Sequence, residues 1–272
     1  MERYTKYPKK EVANRPNQLA PKRSKQQLVY GMRPVMEAIE AGTQIDKVLI
    51  QNGLEGKLVQ ELKLKLRQAG LPFQYVPEEK LQKLTDGNHQ GVVATISAIR
   101  YQSFEEVVDR LAQEGKVPFL LLLDHITDVR NLGAIVRTAE CAGVHAVVIP
   151  EHGTAAINED AIKTSSGALL RVPICREGNL KTVVNYAKQC DIQVVAATEK
   201  SHLSYLELNY QRPTMIIMGS EDTGISNELL KLSDARAKLP IMGEVQSLNV
   251  GVAAGVFMYE VLRQRQNPAE SL

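Results

Sequence analysis

The sequence predicts an α/β protein: a mostly parallel sheet with helices on both faces, preceded by a smaller α/β domain. Three observations carry this. Phe119-Leu120-Leu121-Leu122-Leu123 is an unbroken apolar run, as a strand buried on both faces requires. From there onward, short apolar strands alternate with amphipathic helical stretches, the pattern of βα units. The last stretch, residues 250–262, is apolar nearly all the way round, so this helix is expected to be buried on several sides.

In order, residues 1–25 hold eight Lys or Arg, two acidic residues and three prolines, with no apolar period; a basic, disordered tail is expected. The remainder carries 25 basic against 29 acidic residues, so the net charge of +2 conceals a near-neutral body. Such a tail either solubilises the chain or adds contacts to phosphate. A small domain is expected over 26–99. Val29-Tyr30-Gly31 leads into Pro34, a good first-turn residue, and Val35, Met36, Ala38 and Ile39 share a helix face. A strand follows at 47–50 and a helix at 58–69, with Leu58, Leu62 and Leu66 on one side and Gly70 as its stop. A strand at 73–76, a short helix at 78–84 and a strand at 92–98 complete the domain. His89-Gln90-Gly91 precedes the last strand, and His89 is a base, a phosphate contact, a solvated side chain or a turn partner.

Residues 101–115 read as an acidic amphipathic helix with Phe104, Val107, Val108 and Leu111 on its apolar side, within a linker over 100–117. The second domain, 118–272, is expected to hold strands at 119–124, 146–149, 171–174, 193–197, 214–218 and 238–241. Its helices fall at 132–142, 159–166, 180–190 and 227–232, before the apolar one at the end.

Composition narrows the function. No apolar run approaches the roughly 18 residues of a membrane span, and there is no apolar signal core; a cytoplasmic protein without a membrane partner is expected. Cys141, Cys175 and Cys190 are odd in number and widely spaced, which suits buried free thiols better than disulfides or a zinc knuckle. The five histidines lack metal-ligand spacing, so no metal is expected.

Ligands of open parallel sheets collect at the carboxyl ends of the strands, where several polar segments fall. Asp124 is followed by Asp128-Val129-Arg130-Asn131-Leu132-Gly133 and a helix on which Arg137 points away from the core, at about 100° per residue. Arg137 is either solvated or aimed at a ligand. Lys163, Ser165, Ser166 and Gly167 either hold phosphate or end a helix. Gly219-Ser220-Glu221-Asp222-Thr223-Gly224 is a tight acidic loop that lacks the Lys-Ser/Thr of a P-loop, and the chain has no Gly-x-Gly-x-x-Gly fingerprint. Its acidity suits a neutral or cationic ligand. Ser247 stands where a helix N-cap is wanted, Asn249 beside it. Gly251 and Gly255 call for the close approach of another backbone.

Three of these segments, Asn131-Leu132-Gly133-Ala134-Ile135-Val136-Arg137-Thr138-Ala139, Gly219-Ser220-Glu221-x-x-Gly224 and Leu239-Pro240 through Ser247-Leu248-Asn249-Val250, resemble the ordered motifs of the SpoU (TrmH-like) branch of SPOUT RNA methyltransferases. The first domain, with Tyr30-Gly31 and His89-Gln90-Gly91, resembles the RNA-binding domain of the RlmB-type large-subunit rRNA guanosine 2′-O-methyltransferases. The resemblance implies a C-terminal trefoil knot, a homodimer whose site uses both subunits, and S-adenosylmethionine-dependent methylation of a ribose 2′-oxygen in RNA, most simply a guanosine of 23S rRNA, with tRNA as an alternative substrate. It further implies cofactor contacts around Thr198, Gly219, Leu239, Ile241 and Leu248. Asn131, Arg137, Glu221, Ser247 and Asn249 would surround the reacting ribose and phosphate, with Lys163, Ser165, Ser166 and His89 as RNA contacts. The chain departs from the family at Val129, where Pro is usual, at Asp222, often Gly, and at Gly251, often Ser. A catalytically silent RNA-binding assembly factor is the competing class, and retention of Arg137, Glu221 and Asn249 speaks for the enzyme.

Overall fold

The computed structural model describes residues 28–244 and 247–266; the basic tail expected over 1–25 lies outside them. The first unit runs β1 (Leu28–Tyr30), α1 (Met32–Glu40), β2 (Ile45–Gln51), α2 (Lys57–Gln68), β3 (Phe73–Val76), α3 (Glu78–Gln82) and β4 (Val92–Ile96). Its four strands lie in the order β1-β4-β2-β3, with β2 and β3 parallel and the other pairs antiparallel. Val35 and Met36 of α1 and Leu62 and Leu66 of α2 pack on Val48, Ile50, Val92 and Ala94. Period-2 alternation sends Leu49 and Val93 to the opposite face, onto Val76 and Leu81.

The second unit begins earlier than the linker expectation allowed. Tyr101–Gln102 is not the start of a helix. It forms β5, an edge strand parallel to β8 (Ile174–Glu177), and α4 (Phe104–Gln113) follows, capped by Ser103. The apolar side of α4 packs on the second sheet, so the 100–117 stretch is built into that unit and does not span a gap. The remaining elements are β6 (Phe119–Asp124), α5 (Val129–Cys141), β7 (Ala146–Pro150), α6 (Glu159–Thr164), α7 (Leu180–Gln189), β9 (Gln193–Ala197), β10 (Thr214–Gly219), α8 (Asn227–Leu232), β11 (Ala235–Ala237) and α9 (Val250–Gln266). All seven strands are parallel, in the order β11-β9-β10-β6-β7-β8-β5. Every residue of β6 is buried. Phe119, Leu121 and Leu123 face α5 and α9, while Leu120 and Leu122 face α4 and α7.

Two strands are displaced from their expected positions. The strand expected at 171–174 starts only at Ile174, after a 3-10 turn at Ala168–Leu170 and Pro173. The strand expected at 238–241 lies at 235–237, because Pro240 has no N–H to offer a ladder. Helix α5 starts three residues early: the Asp128 carboxylate accepts from the N–H groups of Arg130 and Asn131, both at 2.8 Å. Val129 is then the first helical residue, a position where proline is favoured, so the Val-for-Pro departure leaves the turn before Asn131 fixed by its cap. Of the cysteines only Cys175 is buried; Cys141 and Cys190 are exposed at the ends of α5 and α7, against the expectation of three buried thiols. Among the described residues, no helix is long and apolar enough to cross a membrane.

Candidate functional site

The site forms at the carboxyl ends of β9, β10 and β6, where three separated segments meet. Strand β10 ends at Gly219, and the loop folds back so closely that a Cβ there would lie 2.2 Å from the Gly224 carbonyl carbon. Only glycine fits. Ser220 and Gly224 exchange backbone hydrogen bonds, and the Ser220 and Thr223 hydroxyls share a third at 2.8 Å. The loop is thereby stiff, and it holds the Glu221 carboxylate towards α5 and α9.

Glu221 is the centre of a clasp. Its Oε1 accepts from Asn249 Nδ2 at 2.6 Å, Asn131 Nδ2 at 3.2 Å and the Val250 N–H at 3.2 Å, and Asn249 Nδ2 also donates to Asn131 Oδ1 at 3.0 Å. Residues 118 positions apart are joined directly. A carboxylate at the first turn of α9 is also favoured by the helix dipole. The N-cap of α9 is Asn249, whose Oδ1 accepts from Gly251 N–H at 3.0 Å and Val252 N–H at 3.4 Å. This corrects the expectation that Ser247 caps the helix. A single carboxamide therefore starts the helix with its oxygen and ties two other segments to it with its nitrogen.

Beside the clasp lies a cavity of about 310 Å³. Thr198, Gly219, Leu239, Ile241 and Leu248, the five expected cofactor contacts, all line it, together with Glu221 and Ser247. Its apolar wall is Met218, Val250, Ala253 and Phe257, and its polar rim includes Glu199, Lys200, Ser220 and Asp222. The sequence reading missed Glu199, Lys200 and Phe257, which carry no motif and reach the cavity only through the sheet order. It also gave no partner to Asp124, which is buried at the end of β6 and accepts from the Ser226 N–H at 2.7 Å, holding the entrance of α8.

The other expected residues are more scattered. Arg137 is exposed on α5, outside this cavity, and makes no hydrogen bond or ion pair among the described residues. A Cβ at Gly251 would meet Asn249 Oδ1 at 3.1 Å and the Ala134 side chain at 3.7 Å, and one at Gly255 the Thr138 side chain at 3.6 Å, so the close neighbours are side chains, not the backbone expected. Lys163 and Ser166 are exposed near the end of α6. Ser165 is fully buried: its hydroxyl donates to the Ile162 carbonyl and accepts from the Leu169 N–H. That corrects its reading as an RNA contact, since both capacities close a turn of its own chain. His89 is half-buried in the first unit and its Nδ1 accepts from the Gly91 N–H at 3.0 Å, the turn-partner role. No group of three or more His, Cys, Asp or Glu among the described residues is placed to hold a metal.

Comparison with known proteins gives this geometry a context. The profile of the SpoU rRNA Methylase family matches residues 118–259, and that of RNA 2′-O ribose methyltransferase substrate binding matches 28–102. The chain is 34% identical over 241 residues, 88% of its length, to the Bacillus subtilis (strain 168) protein named "Putative TrmH family tRNA/rRNA methyltransferase YacO", and covers 96% of that relative. Among solved structures, an AdoMet-bound rRNA methyltransferase from Sinorhizobium meliloti superposes with a TM-score of 0.56 at 26% identity, covering 88% of each chain. A TrmH/SpoU tRNA modifying enzyme from A. aeolicus superposes with a TM-score of 0.52 at 29% identity, covering 61% of this chain and 85% of its own.

Proposed function

Because the chain belongs to the SpoU rRNA methylase family of S-adenosylmethionine-dependent RNA methyltransferases, we propose that it methylates a ribose 2′-hydroxyl of large-subunit ribosomal RNA, at a guanosine. The observation that carries this is the Asn131–Glu221–Asn249 clasp, which draws three segments together at the rim of one cavity. The ribosomal substrate is favoured by extent. The likeness to the S. meliloti rRNA enzyme runs through both units, and the match to the tRNA modifying enzyme covers 61% of the chain.

The residues present fit S-adenosylmethionine. The cavity falls at the small end of the usual range for ligand pockets, offers an apolar wall for a base, and carries Glu199, Glu221 and Asp222 against Lys200, a net negative rim opposite a ligand that bears positive charge. When bound, S-adenosylmethionine supplies a methyl group already activated on a cationic sulfur. The chain then has to hold that molecule, place the 2′-oxygen in line with the methyl, and let the hydroxyl proton leave. The backbone around Thr198, Gly219, Leu239, Ile241 and Leu248 does the holding. Asn131, Glu221, Ser247 and Asn249 position the ribose.

Arg137 clamps the adjoining phosphate and stabilises negative charge developing on the 2′-oxygen. Electrostatic stabilisation is the role its planar, charged fork suits, and the hydroxyl proton passes to solvent. Its exposure outside its own cavity supports a homodimer in which Arg137 of one protomer serves the cavity of the other. Val252 and Tyr259, seven apart on α9, are exposed apolar residues suited to that interface. A trefoil knot accounts for the path of the chain. Beyond β11 at the sheet edge, Asn249 bonds to the 219–224 loop and α9 is seated on α5. On this reading the enzyme works in the cytoplasm, with Lys163, Ser166 and His89 at the RNA surface.

The deciding experiment maps 2′-O-methylation on RNA from cells with and without the protein. Loss of a single mark in 23S rRNA is the expected result. Loss confined to tRNA would move the substrate, and no loss in either would leave the silent assembly factor.

A further inference from the structure

The two units meet at a narrow junction. Among the described residues no helix or strand of the first sheet packs extensively on an element of the second, and open clefts of about 390 and 570 Å³ flank the contact on either side. What joins them is Arg176 of β8. Its guanidinium donates to the Asp46 carbonyl at 2.9 Å, to Asp46 Oδ1 at 2.9 Å and to the Ile45 carbonyl at 3.3 Å. Tyr101 of β5 stacks beneath the guanidinium, 4.1 Å from its ring centre, and its hydroxyl donates to the same Asp46 oxygen at 3.2 Å.

The first unit is shaped for this contact. In β2 the pairing to β4 passes from Ile45↔Ile96 directly to Lys47↔Thr95, so Asp46 is the extra residue of a β-bulge. A bulge bends the strand and re-aims a side chain; here it turns two carbonyls and one carboxylate towards a single guanidinium. The side chains of Arg176 and Asp46 retain only 11% and 14% of their exposure. Removing such a pair from water is costly and gives little net stability, so its use lies in fixing geometry. The planar fork of arginine matches the three acceptors in a way that a lysine ammonium cannot.

We propose that Arg176, Asp46 and Tyr101 form an interdomain latch that sets the orientation of the first unit relative to the methyl-transfer cavity, making them positioning residues for RNA. This rests on the reading of the chain as an RNA methyltransferase whose first unit binds substrate. The latch lies near the carboxyl ends of β7 and β8, the same end of the sheet as the cavity, and the 570 Å³ cleft beside it is lined by Lys47, Phe73 and Gln74 from one unit and His152 and Thr154 from the other. An RNA engaged by both units thus crosses a gap whose width the latch determines.

The test uses the full chain with Arg176→Ala, Arg176→Lys and Asp46→Ala, the last altering only the first unit. Small-angle scattering should show a broader distribution of interdomain distances for both alanine variants. The KM for structured rRNA should rise roughly tenfold, as expected when a tethered contact loses its fixed geometry. kcat at saturating RNA and calorimetric binding of S-adenosylmethionine should stay within about twofold of wild type, a margin of ~0.4 kcal/mol. Arg176→Lys should behave like the alanine variants, because the fork is lost while the charge is kept. Unchanged scattering and unchanged KM would overturn the latch, and so would a parallel loss of cofactor binding, which would mark the contact as general scaffolding. A wild-type protein that methylates no RNA would refute the substrate reading instead, and the scattering comparison would still decide the latch.

Discussion

Asn249 concentrates more of the site than any other side chain, because one carboxamide caps α9 and bridges Asn131 to Glu221. Asn249→Ala removes the cap, worth about 1 kcal/mol, and leaves Glu221 with fewer donors. A lower melting temperature and weaker S-adenosylmethionine binding by calorimetry are expected together. Arg137→Ala should behave in the opposite way: methyl transfer lost, cofactor affinity and melting temperature kept, since the side chain is exposed and unpaired among the described residues. Unchanged turnover would remove Arg137 from the mechanism. His145 supplies a pH signature. Burial, then the positive charges of Arg265 and Lys116, push its pKa below the ordinary 6.5, and its Nδ1 accepts from the Phe119 N–H. The unfolded chain therefore takes up the proton first as pH falls, and stability present above 6.5 declines from there towards the lower folded value. Urea melts between pH 7.5 and pH 5.5, on the order of one unit either side of the free imidazole value, should show this slope, and His145→Asn should flatten it. These residue roles were unevenly legible. Glu221 and Asn249 stood in recognisable motifs, but that Asn249 and not Ser247 caps the helix depends on where the chain enters α9, which spacing alone does not settle.

At the scale of elements, α9 carries the tertiary organisation. Gln264 is buried; its Oε1 accepts from the Tyr210 N–H at 2.8 Å and its Nε2 donates to the Leu208 carbonyl and to Glu260. Burial alone would raise the Glu260 pKa, but hydrogen bonds from Arg263 and Gln264 outweigh it and the net shift is downward. Gln264→Ala strands the Tyr210 N–H and should cost about 1–3 kcal/mol in urea unfolding; a change within experimental error would show that the chain relaxes around the gap. The opposite side of α9 bears Val252 and Tyr259, both more than half exposed. If the proposed homodimer forms through this face, Tyr259→Asp should convert it to a monomer in sedimentation and abolish turnover. A variant that remained dimeric would move the interface elsewhere. Long periodic elements such as α2, α5 and α7 were readable because burial follows their period. Strand β5 and the position of β11, which lies three residues ahead of where it was expected, were not. These strands have two and three residues and owe their place to β8 and β9, partners far away in sequence.

The whole molecule is two sheets joined through a small polar junction. The alternation of strands and helices announced both sheets, and the apolar run of β6 marked the centre of the larger one. The junction was invisible: Arg176 and Asp46 are 130 residues apart, and neither stands in a motif. The same holds for the cavity rim, where Glu199 and Lys200 arrive by way of the β11-β9-β10 order.

The wall of that cavity has a consequence for biosynthesis. Leu239, Ser247, Val250, Ala253 and Phe257 all lie in the stretch after β11, about 140 residues or more beyond the end of β4. While translation is under way, the last part of this stretch is still inside the exit tunnel after the first unit has emerged whole. The nascent polypeptide therefore has its first unit before it has the cavity proposed for the methyl donor. A premature stop codon ahead of α9 leaves the first unit entire and the cavity without Val250, Ala253 and Phe257, so on the proposed function such a fragment is expected to bind RNA without methylating it.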